Sequence, residues 1–260
     1  MRDNLSGSRG KASSALRRGA DRLSRLIWPT TSLISGREVA GPGVLEPHYW
    51  SQLKFLSGAM CQRCGTPFEI AVDPDQWCGA CMASPPVYHR ARAALQYGDV
   101  SRQIVLALKH SGRRDGLPTI AAWMTTAAQE LVQDADMLAP VPLHYFRLVR
   151  RGFNQSVWLA AALGRRIDKP LYVDILHRRR HTPIQGGLSA DARRRNVAGA
   201  FRVPERYRKR IEGKTILLVD DVLTTGATVQ ACARALKSGG AASIDVVTLA
   251  RVAGPRSVPI

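Results

Sequence analysis

Short apolar runs alternate with amphipathic stretches from about residue 87 onward, a pattern that predicts a sheet covered by helices. Strands are expected at the apolar runs 91–97, 137–142, 171–176, 215–219 and 243–250. Helices are expected at 100–109, 117–132, 155–167 and 229–237, the last ended by Gly239 and Gly240. Because strands and helices alternate, the sheet should be parallel or mostly parallel. The pattern therefore predicts an α/β fold.

The part of the chain before residue 87 lacks this pattern, so we divide the chain into three regions. Residues 1–25 are rich in Ser, Gly and basic side chains and predict a mobile basic arm; residues 26–86 predict a small N-terminal module. The α/β domain should span 87–254, with the arginine-rich stretch 178–212 as a long functional loop. No apolar run approaches the roughly 20 residues of a bilayer span, and no secretory signal is recognisable. We therefore expect a cytoplasmic protein without a membrane span.

The most informative local motif is residues 214–228, KTILLVDDVLTTGAT. A strand leads to two acids, then to a loop of threonines around a glycine and into a helix, so the acids should emerge where ligands bind in open α/β sheets. The carboxylates suit ribose hydroxyls, directly or through Mg²⁺, and the loop suits a phosphate. An ordinary helix cap is the alternative. The run resembles the phosphoribosyl pyrophosphate signature of type I phosphoribosyltransferases, which implies that the binding residues are Asp220, Asp221, Thr224, Thr225, Gly226, Ala227 and Thr228.

Two CxxC pairs lie upstream, Cys61 with Cys64 and Cys78 with Cys81, and thirteen residues separate the pairs. This spacing is typical of two knuckles that hold one Zn²⁺ in a closed, structural site. Four ordinary free thiols are the alternative. The fifth cysteine, Cys232, falls in a predicted helix and is expected to be a small buried apolar residue.

Several motifs together resemble the ComF family, which includes ComF and GntX. They are CQRCGT at 61–66, the second cysteine pair, Pro85-Pro86, ALKHSGRRD at 107–115 and the 214–228 signature, so the resemblance covers roughly residues 25–252. It implies a type I phosphoribosyltransferase-like domain preceded by a zinc ribbon. Many members of the family carry a second cysteine set upstream, where this chain has Ser32, Ser35, Glu46 and Tyr49. Serine and tyrosine are poor zinc ligands, so we expect one zinc, not two.

Basic segments flank the predicted pocket. Arg147, Arg150 and Arg151 could grip pyrophosphate, and the resemblance of residues 150–155 to the family's pyrophosphate loop implies the same; a solvated basic face is the alternative. Lys109 fits a family lysine or simply complements a helix dipole. The segment 178–197 resembles a hood that closes over the pocket, which implies roles for Gln185, Arg193 and Asn196, although a plain basic loop fits equally well.

A net charge of +18 indicates an anionic substrate or a polyanionic partner. Three functions remain open. The chain could bind phosphoribosyl pyrophosphate with Mg²⁺ and transfer the sugar to an unknown acceptor, or it could keep the pocket for binding or regulation only. The resemblance to ComF proteins also implies handling of single-stranded DNA in DNA uptake and natural transformation, although five Phe and five Trp limit any long base-stacking platform. No residue is recognisable as a general base.

Overall fold

The computed structural model describes residues 31–39, 41, 45–70, 73, 75–110, 114–179, 195 and 197–252. The predicted basic arm lies outside these residues, as do the hood residues Gln185, Arg193 and Asn196. Within the described part of the chain, no helix combines the length and apolar character needed to cross a membrane.

A four-stranded parallel sheet forms the centre of the α/β domain. The strands are β1 (Arg90–Gln96), β2 (Met137–Pro140), β3 (His177–Arg178), β4 (Phe201–Arg202), β5 (Thr215–Leu223) and β6 (Ser243–Arg251). The sheet has the order β1-β6-β5-β2, and every neighbouring pair is parallel. The short strands β3 and β4 make a separate antiparallel ribbon. The predicted α/β fold with a parallel sheet is confirmed.

Helices cover both faces of the sheet. The helices of the described residues, not all of which touch the sheet, are α1 (Pro47–Trp50), α2 (Gly79–Ala83), α3 (Asp99–His110), α4 (Leu117–Ala127), α5 (Gln129–Asp134), α6 (Tyr145–Arg151), α7 (Gln155–Ile167), α8 (Arg208–Ile211) and α9 (Ala227–Ser238). One core cluster packs between the sheet and α3, α4 and α7, and it includes Ile104 and Leu163. A second packs between the sheet and α9, and it includes Leu236 and the buried Cys232. Complete burial of one such leucine stabilises the fold by about 1.5–3 kcal/mol.

Besides β5, which runs past its predicted end at Val219 to Leu223, three predictions of local structure differ from what is observed. The predicted helix 117–132 is two helices, because Ala128 leaves helical geometry at φ −122° and ends α4. The predicted strand 171–176 is wrong, since within it Leu171 alone forms an isolated bridge, to Leu138. The apolar side chains of Ile175 and Leu176 are buried in the core without forming a strand. The stretch 178–212, expected to be a long loop, contains β3, β4, a 3₁₀ turn at Glu205–Tyr207 and α8.

The N-terminal segment is joined to the edge of the sheet. The Leu56 amide donates to the Ala94 carbonyl at 3.0 Å, and the Gln96 amide donates to the Lys54 carbonyl at 2.8 Å, so β1 is not left as an open edge there. Gly65 has φ +67°, and a Cβ at this position would collide with the Ala91 carbonyl oxygen. Glycine therefore allows the first cysteine pair to lie directly against β1.

Candidate functional site

The two acids of the signature lie at the carboxyl-terminal part of β5. The acids were expected to follow the strand. They lie within it, because β5 continues past Val219 to Leu223 and stays paired with β6. Strand β2, on the other side, ends at Pro140 opposite Val219. The side chains of Asp220 and Asp221 therefore lie where β2 has already stopped, and both line a cavity of about 240 Å³.

Polar groups from α3 and α7 contact these acids. Lys109 Nζ lies 2.8 Å from Asp221 Oδ2, and Gln155 Nε2 donates to the same oxygen at 3.2 Å. Ser156 Oγ donates to Asp220 Oδ1 at 2.9 Å. Helix α7 presents Gln155 and Ser156 because the Asn154 side chain caps its first turn by accepting from the Ser156 amide at 3.0 Å. The acid pair is thus held in place from two sides.

The two acids have different surroundings. Burial, and then the negative charge of Asp221, raises the pKa of Asp220 to about 7, although the hydrogen bond from Ser156 and the charge of Lys109 lower it. Lys109 forms its ion pair with Asp221, so the charge of that carboxylate is already balanced. A cation or a set of hydroxyl donors bound at this point would favour the ionised form of Asp220.

The threonine loop connects β5 to α9. Gly226 has φ +74° and is the N-cap residue of α9, with no side chain capping the helix. Uncapped amides at a helix N-terminus bind anions, and glycine permits this backbone conformation. Thr224 and Thr228 line the same cavity as the acids, while Thr225, Gly226 and Ala227 complete the loop between them.

Basic side chains from three elements surround the cavity. Lys109, Arg147, Arg151 and Arg178 line it directly. Arg150 lines a neighbouring cleft of about 420 Å³ together with Lys109, His110, Arg147 and Arg151. Burial and the charge of Arg151 lower the pKa of Arg147, and burial and the charge of Arg147 lower that of Arg178. These guanidinium groups repel one another, so an anion bound among them would be stabilised.

The four cysteines 61, 64, 78 and 81 form a buried cluster whose sulfur atoms all lie within 4.8 Å of one another. Cys64 Sγ and Cys78 Sγ are 3.7 Å apart, close to the edge of about 3.8 Å expected for four sulfurs around Zn²⁺ at about 2.3 Å. The Cys78 amide donates to Cys61 Sγ at 3.2 Å. Hydrogen bonds from the Cys61 and Cys81 thiols lower the pKa of Cys64, and the charge of Arg251 lowers it further. The thiol geometry fits a tetrahedral metal ion.

A different cluster occupies the positions where the family's other cysteines would fall. Ser32 Oγ donates to Glu46 Oε2 at 2.7 Å, and Ser35 Oγ donates to Glu46 Oε1. Tyr49 packs against the main core instead. We call the Ser32, Ser35 and Glu46 group the serine–glutamate corner. It joins residues on both sides of 42–44 by hydrogen bonds.

Comparisons with known proteins agree with this architecture. A family model for the phosphoribosyl transferase domain matches residues 128–259. Over 201 residues the chain is 34% identical to the DNA utilization protein YhgH of Escherichia coli O157:H7, covering 74% of this chain and 84% of that protein. Over 205 residues it is 30% identical to competence protein F of Haemophilus influenzae, covering 77% of this chain and 88% of that protein. This chain belongs to the ComF family of phosphoribosyl transferase domain proteins.

Among solved structures, this ComF-family chain is similar to an orotate phosphoribosyltransferase from Aeropyrum pernix, at 19% identity and a TM-score of 0.34, covering 62% of this chain and 71% of that one. The family assignment rests on the sequence matches and not on this similarity. The resemblance to ComF proteins inferred from the motifs is confirmed.

Ser156 was not predicted as a site residue, and Gln155 and Arg178 were predicted only as ends of the segments 150–155 and 178–197. Ser156 and Gln155 contact the acids from α7, and Arg178 enters the cavity from β3. The Asn154 cap was the one local signal for the α7 pair, since it fixes where the helix begins. Arg178 stands in a run of three arginines, and its sequence context gives no reason to select it from the other two.

Proposed function

We propose that this chain binds phosphoribosyl pyrophosphate with Mg²⁺ in the cavity between β5, α7 and the threonine loop. The observation that carries the proposal is the convergence of an acid pair, an uncapped helix N-terminus and four cations on one cavity. Each group matches one part of the ligand. The carboxylates suit ribose hydroxyls and the metal ion, the threonine loop suits the 5-phosphate, and the arginines suit the pyrophosphate.

In this proposal each residue that lines or contacts the acid pair has a defined role in binding. Asp220 and Asp221 accept hydrogen bonds from the ribose hydroxyls, or hold Mg²⁺ when it is bound with the ligand. Gln155 and Ser156 fix the orientation of these carboxylates from α7. Lys109, now paired with Asp221, is placed to turn toward a phosphate oxygen. Mg²⁺ would supply charge neutralisation of the phosphates.

Transfer of the sugar is the second step of the proposal, and the acceptor is not identified. Displacement of pyrophosphate passes through an oxocarbenium-like state, for which positioning and stabilisation of the leaving group supply much of the rate. Arg147, Arg151 and Arg178 are suited to that stabilisation. Zinc in the cysteine cluster would be structural, one ion per chain, because four thiols leave no position for a substrate. The predicted hood residues Gln185, Arg193 and Asn196 are proposed to cover the bound ligand.

A second candidate function is binding of single-stranded DNA. Its support is a cleft of about 600 Å³ that shares Pro142, Leu143 and Arg178 with the acid cavity. Phe153 stacks on Trp158 there, with ring centroids 4.0 Å apart, and the Arg114 guanidinium lies 4.3 Å from the Trp158 ring. Aromatic rings beside arginines suit stacked bases and phosphates. The relatives named for DNA utilization and competence favour this candidate as well.

Thermal denaturation with added ligands tests both candidates. At about 100 times its Kd, phosphoribosyl pyrophosphate with Mg²⁺ should stabilise the wild type by about 2.7 kcal/mol, roughly 5–10 °C in Tm. The double variant D220N/D221N should lose this shift, whereas D99N/E205Q, which removes two exposed carboxylates elsewhere, should keep it. Pyrophosphate and ribose 5-phosphate alone should give smaller shifts.

The outcomes separate the two candidates. If D220N/D221N is folded and still shows the full shift, the assignment of the pocket is wrong. If the sugar pyrophosphate gives no shift and a short single strand gives a salt-sensitive one, the basic and aromatic surface is the functional site.

A further inference from the structure

Arg251, the last residue of β6, is a buried cation beside the cysteine cluster. It is 6% exposed. Its Nη1 donates to the Cys64 carbonyl, and its Nη2 donates to Thr66 Oγ1 at 2.7 Å, while its Nε has no hydrogen-bond partner. Within the described ranges, no carboxylate pairs with it. The hydrogen-bond partners of this arginine are therefore neutral.

The other arginines that the sheet edge buries are balanced by acids. Arg90 pairs with Asp245 at 2.7 Å and with Asp134 at 2.6 Å, and Arg92 pairs with Glu130. A buried charge without a counter-charge costs several kcal/mol, so such groups are normally paired. Arg251 breaks this pattern unless the cysteine cluster itself is negative.

A metal-bound cluster provides that charge. Four thiolates around one Zn²⁺ carry a net negative charge, whereas four thiols carry none. The path from Arg251 to the cluster is short, since Thr66 Oγ1 lies 3.0 Å from Cys64 Sγ and 2.7 Å from Arg251 Nη2. Groups in this outer position orient metal ligands and tune their affinity for the metal.

We propose that the zinc–thiolate cluster is the counter-ion of Arg251, and that this pairing fastens the cysteine module to the phosphate-loop end of the sheet. Arg251 pairs in register with Leu223, the last residue of β5. Leu223 Cδ1 lies 3.8 Å, and the Tyr88 hydroxyl 3.9 Å, from the position that a Cβ on Gly226 would occupy. Tyr88 is buried directly behind the loop. Metal binding thus supports the loop that follows β5.

The first half of this inference concerns zinc alone, and the second half rests on the proposed function. The decisive variant is Arg251→Met in the full chain, with Arg251→Lys as the charge-conserving variant and Arg234→Met, an exposed arginine of α9, as the control. Zinc affinity is measured by competition with a chromophoric chelator, and Tm is measured for the zinc-loaded and metal-free forms.

We expect R251M to weaken zinc binding by about 10- to 100-fold, R251K to weaken it less, and R234M to leave it unchanged. The Tm of the zinc-loaded form and the Tm of the metal-free form should respond differently to R251M. R251M should lower the Tm of the zinc-loaded chain, because it removes the counter-charge of the cluster. In the metal-free chain it should leave the Tm unchanged or raise it, because it removes a buried cation that has no partner.

An unchanged zinc affinity in R251M, with equal loss of Tm in both forms, would overturn the pairing and leave Arg251 as a packing residue. If R251M does not fold, Thr66→Val tests the same path, since it removes the hydroxyl between Arg251 and Cys64; wild-type zinc affinity in T66V would then contradict the proposal.

Ligand binding tests the second half. Stabilisation by phosphoribosyl pyrophosphate with Mg²⁺ should be smaller in metal-free wild type than in zinc-loaded wild type. Equal stabilisation would show that the metal does not support the loop. If the ligand stabilises neither form, the proposed function fails, while the zinc affinities still decide whether Arg251 pairs with the cluster.

Discussion

The N-terminal module contains two side-chain clusters, and different chemistry holds each of them together. The serine–glutamate corner joins Ser32 and Ser35 to Glu46 with atoms that the chain supplies. The cysteine cluster brings four thiols within 4.8 Å of one another, a spacing at which a bound metal ion could cross-link them. A hydrogen bond to a charged group contributes about 1.5–3 kcal/mol, whereas a structural Zn²⁺ contributes about 10–16 kcal/mol in isolated zinc fingers. The first corner is weaker but independent of metal supply.

Removal of zinc should have the largest effect of any change in the module. A chelator, or the variant C64A, should open residues 59–68 and 76–83 to hydrogen exchange, because the cluster then loses its cross-link. Residues 45–56 should keep their protection. Hydrogen exchange with mass spectrometry measures both segments.

The variant C232A is the matched control, since Cys232 is buried in the core and lies outside the cluster. It should leave the zinc content at the wild-type level. Equal loss of protection in both corners of the chelated wild type would mean that they form one cooperative unit and not two independent ones.

Glu46→Ala should have an intermediate effect. It removes the acceptor of both serine hydroxyls, and we expect a loss of about 1–2 kcal/mol because this corner is partly exposed. The Tm should fall by roughly 2–8 °C. Zinc affinity should not change. E205A, which removes an exposed acid elsewhere, should change neither quantity, and a fall in zinc affinity in E46A would show that the two corners are coupled.

Acid should have the smallest effect on the same corner. Burial slightly raises the pKa of Glu46, but hydrogen bonds from Ser35 and Ser32 outweigh it, so the net pKa lies below the ordinary value of 4.5. A lowered folded-state pKa gives stability that is present above the unfolded-state pKa and is lost as the pH falls through the folded-state pKa. Protection of residues 45–50 should therefore weaken below pH 4.5 in the wild type.

E46Q separates this titration from that of other carboxylates, because it removes the one group in question and keeps its shape. The difference in protection between wild type and E46Q should shrink as the pH falls. A constant difference would mean that Glu46 is not ionised in the folded corner.

Local signals in the sequence were enough for the sheet, the cysteine cluster and the acid–threonine motif. In each of these the decisive residues are neighbours in the chain or follow a fixed spacing, as Cys61 and Cys64 do. Helix α7 was predicted at its observed bounds, and the Asn154 cap seen in the structure fixes where it begins. The predicted roles of the pocket residues remain predictions.

The assembly of the pocket could not be predicted in the same way. Lys109, Ser156 and Arg178 come from three elements, and they meet the acids of β5 only through the tertiary fold. The end of β5 is set by its pairing with β6, which local composition does not encode. The run 171–176 is apolar because of burial, and burial alone does not distinguish a strand from a loop.

The β3–β4 ribbon has a consequence for the length of the segment that it closes. The Arg179 amide donates to the Ala200 carbonyl at 2.8 Å, next to the paired strands, so these two residues are held together. The entropy of closing such a loop grows only logarithmically with its length, and each doubling costs about 0.6 kcal/mol. Insertions between these two residues should therefore cost the fold little, so this segment can change its length while the strands that carry the acids stay the same.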